Sequence, residues 1–154
     1  MKILLGVDTS AQSRETVSTV CRMPWPAGTS VVVVSVIAPS EPQYAPPPHV
    51  LASVAQDLGM IEATHIREHE ELLERTEREL RTAGLDVTSR MADGDPRHAL
   101  VEAAREERAD LLVVGSHGHS GFGRTLLGCV ASHVVGHSPC DVMVVRRDEP
   151  AAIA

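Results

Sequence analysis

The apolar run Leu111-Leu112-Val113-Val114 stops at Gly115, and Ser116, His117 and Gly118 follow it; after nine intervening residues come Gly128 and Cys129. A strand that breaks into a glycine loop and restarts as a helix offers bare backbone N–H groups to an anion, and the helix dipole adds favourable potential. Glycine lets a phosphate approach the chain without a Cβ in the way, and the loop is expected to visit φ > 0. Gly121 and Gly123 lie inside the same loop, and a helix is expected from about Leu126 to His137. The loop contains no G-K-[ST], so it is not a Walker A loop. Gly121-Phe122-Gly123-Arg124-Thr125-Leu126 does not complete G-x-G-x-x-G, so it is not the dinucleotide fingerprint.

The elements that must carry this loop are legible along the chain. Five β-branched or apolar runs, Ile3–Val7, Val31–Ile37, Val87–Met91, Leu111–Gly115 and Val142–Val145, alternate with helix-like segments. Their continuous apolar character predicts strands buried on both faces of a parallel sheet. Alternating βα units of this size predict a doubly wound α/β fold, a five-stranded parallel sheet with helices on both faces; the strand order expected for it is 3-2-1-4-5. Ser10 or Ser13 would cap the first helix, which Pro24 and Pro26 stop. The second helix should run from about Val50 to Ala83, with Gly84 behind it. Its charged half, Glu68 to Arg81, reads as a solvated face around a narrow stripe of Leu72, Leu73 and Leu80. Asp95 before Pro96 is a good start for the third helix. A proline-rich connection, Ala38 to Val50, should be extended and exposed. In the expected order the ligand crevice lies where strand order reverses, between the first and fourth strands. Asp8, at the end of the first strand, and the glycine loop, at the end of the fourth, therefore converge on one crevice.

The spacing G-x2-G-x9-G after such a strand resembles the nucleotide-binding signature of the universal stress protein family. Ile3-Leu4-Leu5-Gly6-Val7-Asp8-Thr9-Ser10 is similar to that family's first strand and its terminal Asp. Gly94-Asp95-Pro96 is similar to its turn before the third helix, and Ser138-Pro139-Cys140-Asp141-Val142-Met143-Val144-Val145 to its last strand. The resemblance covers nearly the whole chain. It implies that Asp8 faces a nucleoside, that the backbone of Val36 meets the adenine edge, and that Gly115, Gly118, Gly128, Cys129 and Val130 form the phosphate loop. The implied ligand is ATP or another adenine nucleotide, with Mg accompanying the phosphates. The alternative within the same fold is a stress-associated dimer that works through protein contacts and holds no nucleotide. Cys129 is the one departure, because the family's nucleotide binders usually carry Ser or Thr there. A thiol donates weakly, and loss of one neutral hydrogen bond is worth about 0.5–1.5 kcal/mol. A small side chain packed out of solvent is the expectation for Cys129 itself.

Other patterns invite chemistry and fail. His65-Ile66-Arg67-Glu68-His69 satisfies H-x-x-E-H, but in a highly charged helix without an obvious third ligand it reads as coincidence. Cys129, His133 and His137 share a helix face, yet one helix seldom closes a metal site; no metal is expected. His117 and His119 sit in the glycine loop, where they would meet phosphate or solvent. Asp93 would suit a signalling receiver domain, but such a domain needs a lysine after the fifth strand, and Lys2 is the only lysine. No G-x-S-x-G elbow is present, no paired carboxylates are expected at the crevice mouth, and no lysine flanks the loop, so no catalytic residue is assigned and any ATP hydrolysis should be slow.

The net charge of −7 and an aromatic content of 2% argue against nucleic acid as a partner. The longest apolar-rich run, Val31 to Ala38, is far below the ~18 residues of a membrane span. Three scattered cysteines, Cys21, Cys129 and Cys140, without C-x-x-C or a leader, read as a reduced, cytoplasmic chain. Residues 1–147 are expected to form one domain and 148–154 a frayed tail. Val142–Val145 should be an apolar edge strand, which invites pairing with a second copy; the resemblance likewise implies a homodimer through this strand.

Overall fold

The computed structural model describes residues 1–39, 47, 50–118 and 127–146. Expectations for most of the proline-rich connection, for His119, Gly121, Gly123 and Leu126, and for the tail after Arg146 lie outside the described residues. The elements are β1 (Lys2–Val7), α1 (Ala11–Arg22), β2 (Ser30–Ile37), α2 (Leu51–Thr82), β3 (Asp86–Asp93), α3 (Pro96–Glu106), β4 (Leu111–Gly115), α4 (Cys129–His137) and β5 (Asp141–Val145). They form one parallel sheet, as the alternation of runs predicts, in the expected order β3-β2-β1-β4-β5.

The two faces of the sheet bury separate clusters. Ile3, Leu5 and Val7 of β1, with Val31 and Val33 of β2, pack under Val17 and Val20 of α1 and Leu72, Leu73 and Leu80 of α2. Leu4, Val32, Val34, Leu112 and Val114 pack under Leu100 and Val101 of α3 and Ala131 and Val134 of α4. The apolar runs therefore behave as two-sided strands in β1, β2 and β4. In β3 only Val87 is buried, because β3 lies at the sheet edge and runs from Asp86 to Asp93, further than the apolar residues alone suggest.

Helix ends follow their local chemistry. Ser10 caps α1, its Oγ accepting from the Ser13 amide at 3.2 Å. Asp95 caps α3 by accepting from the Arg97 amide at 2.9 Å, with Pro96 in the first turn. Gly84, past α2, adopts φ +87, a left-handed turn that glycine enters without a Cβ penalty. The fourth helix begins at Cys129 and not near Leu126, since Leu127 and Gly128 are not helical. The Gly128 amide donates instead to the Ser116 carbonyl at 2.7 Å. That bond closes the neck of the glycine loop and postpones the helix.

Candidate functional site

The carboxyl ends of β1, β2 and β4 open into one crevice of about 660 Å³, within the ~300–1,000 Å³ typical of small-molecule sites. All seven residues singled out from the sequence line it: Asp8, Val36, Gly115, Gly118, Gly128, Cys129 and Val130. They are gathered from the ends of three strands, the loop neck and the first turn of α4, which is what a switch point between β1 and β4 provides.

At one end stands the start of α4. Gly128 is its N-cap, extended at φ −60 and ψ 162, and no side chain caps it. The first intrahelical bond is Ser132 N–H to the Gly128 carbonyl at 2.9 Å. The amides of Cys129, Val130 and Ala131 are thus left without an intrahelical acceptor, at a helix end that carries partial positive charge. Cys129 is exposed, contrary to the expectation of a packed thiol, because it is the first helical residue at the crevice mouth.

The glycines act by close approach and not by unusual dihedrals. Gly115, Gly118 and Gly128 all avoid positive φ, against the expectation from the loop's composition. A Cβ on Gly115 would stand 2.8 Å from Gln12 Cγ and 3.1 Å from Thr16 Oγ1; one on Gly118 would stand 2.9 Å from Asp8 Oδ2; one on Gly128 would stand 3.1 Å from the Ser116 carbonyl oxygen. Gly115 is accordingly a packing glycine against α1, while Gly118 and Gly128 keep the loop neck against Asp8 and Ser116. The Ser116 amide donates to the Val145 carbonyl at 2.8 Å, and Gln12 Nε2 donates to the same oxygen at 2.9 Å. The loop, α1 and the end of β5 are tied at that single atom.

Asp8 has two duties. Its Oδ1 accepts from the Ser10 amide at 2.9 Å and from the Ser10 hydroxyl, and its amide donates to Ser13 Oγ at 3.0 Å. This is the turn work an Asp before a helix does. Its Oδ2 is the atom that faces Gly118. Asp8 is the only carboxylate, and no Lys or Arg is found, among the described residues lining the crevice.

At the far end, Val36, Ile37, Ala38 and Pro39 continue β2 into an apolar wall, and Leu100 and Val114 form the floor. Two residues that sequence reasoning set aside belong here: His65 and His69 of α2 line the wall. Their signal was present in the spacing, because 65, 69, 72, 76 and 80 form one helix stripe, and Leu72, Thr76 and Leu80 of that stripe are buried against the sheet. The stripe simply continues above the strand ends. His117 also lines the crevice, 3.2 Å from Ser116 Oγ.

Beside the crevice, the Arg97 side chain bonds to Asp95 and holds its carboxyl well below the usual carboxylate range. His133 stacks on His137 with centroids 4.0 Å apart and meets His98 edge-on at 4.7 Å. Among the described residues no three His, Cys, Asp or Glu side chains converge as metal ligands. Nor, among these residues, is any helix long and apolar enough to cross a membrane.

Residues 1–146 match the universal stress protein family. This chain belongs to that family. A universal stress protein of Methanocaldococcus jannaschii is 35% identical over 80 residues, covering 52% of this chain and 47% of its own; the chain spans about half the length of the curated relatives it matches. Among solved structures, a universal stress protein from Lactobacillus plantarum superposes with a TM-score of 0.75 at 21% identity, over 95% of this chain and 97% of its own. A universal stress protein in complex with cAMP gives 0.63 at 26% identity, over 95% and 96%. An Arabidopsis thaliana member with AMP bound gives 0.68 at 18% identity, over 96% and 92%.

Proposed function

We propose that this universal stress protein binds an adenine nucleotide in the crevice and acts as a ligand-responsive module. The observation that carries the reading is the meeting, in one crevice, of an uncapped helix start and an apolar wall. The amides of Cys129 and Val130 suit a phosphate, and Gly118 and Gly128 leave the loop neck bare of side chains. Val36 and its neighbours suit a flat apolar base, and Asp8 Oδ2 suits a ribose hydroxyl. Solved relatives holding cAMP and AMP share adenine, ribose and one phosphate, and this supports the same ligand class here.

ATP is the form we propose, with Mg²⁺ held chiefly by its phosphates and water and Asp8 as the one protein carboxylate at hand. Hydrolysis should be slow, because no described cationic side chain lines the crevice to stabilise a leaving phosphate. We further propose residues 1–147 as the binding domain, a cytoplasmic setting, and a homodimer paired along β5, the apolar sheet edge. The competing reading, a dimer acting by protein contacts alone, draws on Cys129, which sets a weak donor where a hydroxyl would serve better.

Calorimetry decides between them. The wild-type chain should bind ATP, and Gly118→Val, which puts a branched side chain against Asp8, should lose that binding while remaining folded. Unchanged ATP affinity in the variant would remove the loop from the site, and no binding by the wild type would favour the contact-only dimer.

A further inference from the structure

Among the described residues lining the crevice there is one carboxylate and neither Lys nor Arg. The groups there that can become cations are imidazoles: His65 and His69 on the wall beside β2, and His117 in the glycine loop. Of the three, His117 stands at the phosphate end. A Cβ on Gly128, the N-cap of α4, would meet His117 Cα at 3.3 Å and Cδ2 at 3.9 Å. Cδ2 is bonded to Nε2, so the Nε2 edge of the ring is the edge turned toward the start of α4. The opposite edge is held, with Nδ1 3.2 Å from Oγ of the buried Ser116.

Ser116 is itself fixed on both sides, its amide on the Val145 carbonyl and its carbonyl under the Gly128 amide. A hydroxyl both donates and accepts, so its contact with Nδ1 survives in the neutral ring and in the imidazolium. Ser116 therefore sets where the ring sits and leaves its charge free to change. Asp8 of β1, whose Oδ2 faces Gly118, favours the charged ring, and the positive end of α4 opposes it. From α3, Arg97 is already bonded to Asp95, and His98 meets His133 of α4 edge-on. Cys129 opens α4, exposed Arg146 follows β5, and α1 turns the neutral Gln12 and Ser13 to this side. A bound phosphate adds negative charge to that balance, at the edge of the ring that carries Nε2.

We propose that His117 is the ionising phosphate contact of this site: the ring takes up a proton from solvent as the nucleotide binds, and Nε2–H of the imidazolium donates to a phosphate oxygen beside the α4 amides. This rests on the nucleotide reading of the crevice. An imidazole is not a standing cation at neutral pH, so the charge arrives with the ligand. The complex then holds more protons than the free protein and its ligand, and lower pH favours the complex. Affinity for AMP should rise by about 3- to 10-fold from about pH 8.5 to about pH 6.5, the range in which an imidazole changes charge. Adenosine, which has no phosphate, should gain nothing.

The test titrates AMP and adenosine into the full chain by calorimetry at both pH values, in two buffers of different ionisation enthalpy. AMP stays mostly dianionic over this range, because a phosphomonoester takes its second proton near pH ~6, and that uptake is common to every variant. Wild type should show the stated AMP gain, a fractional proton uptake and a flat adenosine affinity. Carbon-13 NMR of the His117 ring should show it gaining charge when AMP is added at constant pH. His117→Gln keeps a neutral donor but cannot ionise, so it should bind AMP at the higher pH and lose most of the gain, with thermal melting confirming the fold. No gain in wild type, an equal gain for adenosine, an undiminished gain in His117→Gln, or a ring whose charge AMP leaves unchanged would each overturn the inference and leave the crevice reading intact. A wild type that fails to bind AMP overturns both.

Discussion

Gly115→Ala separates a packing glycine from a ligand-approach glycine. The new Cβ would sit 2.8 Å from Gln12 Cγ and 3.1 Å from Thr16 Oγ1, where carbon–carbon contact prefers ~3.5–4.0 Å. Thr16 is fully buried, and Gln12 is fixed by its 2.9 Å bond to the Val145 carbonyl, so neither can retreat freely. Overpacking of this kind costs about 1–3 kcal/mol. Displacing Gln12 forfeits a further ~1 kcal/mol of hydrogen bonding. The combined loss of about 2–4 kcal/mol corresponds, in a chain of this size, to a melting point lower by roughly 4–16 °C. Calorimetric melting of four proteins (wild type, Gly115→Ala, Gln12→Ala and the double variant) measures the coupling. Because Gln12→Ala removes Cγ, the added methyl at Gly115 should cost under about 1 kcal/mol in that background. AMP affinity should change little, since the methyl points at α1. A Gly115→Ala protein that melts like wild type but loses AMP would refute the packing argument; so would an equal cost in both backgrounds.

Cys129→Ser places a hydroxyl at the exposed first position of α4 and should tighten ATP binding by about 1 kcal/mol or less; isothermal titration showing no gain would mean that the side chain does not reach the phosphates. His133 is pushed below its ordinary value of 6.5, first by burial and then by the cationic neighbours His137, His98 and Arg97. The unfolded chain therefore takes up that proton first, and stability should fall as pH drops below about 6.5. His133→Gln should flatten urea-melt stability across that window, and an unchanged slope would assign the loss to other groups. Val144→Pro removes a backbone N–H from the β5 edge and should convert a micromolar dimer into a monomer by light scattering; a dimer that survives it would move the interface elsewhere.

Much of the architecture is readable from local pattern. Short apolar runs such as Leu4–Val7 and Val31–Val34 describe buried parallel strands, and Ser10, Asp95 and Gly84 punctuate the helices wherever backbone groups need partners. The convergence of Asp8 with the glycine loop follows from strand order alone, and all seven expected residues do line one crevice. The limits are equally physical. Sequence periodicity tells which face of α2 turns inward, but not that the helix outruns the sheet and leaves His65 and His69 on the crevice wall. Glycine spacing marks close approach without saying what approaches: Gln12 and Thr16 at Gly115, Asp8 at Gly118, Ser116 at Gly128. The buried Ser35 hydroxyl between Val7 and His69 joins two strands and a helix far apart in the chain. Only packing brings these groups within hydrogen-bond range, because the crossovers that lay α2 over β2 are set by the whole sheet and not by any one segment.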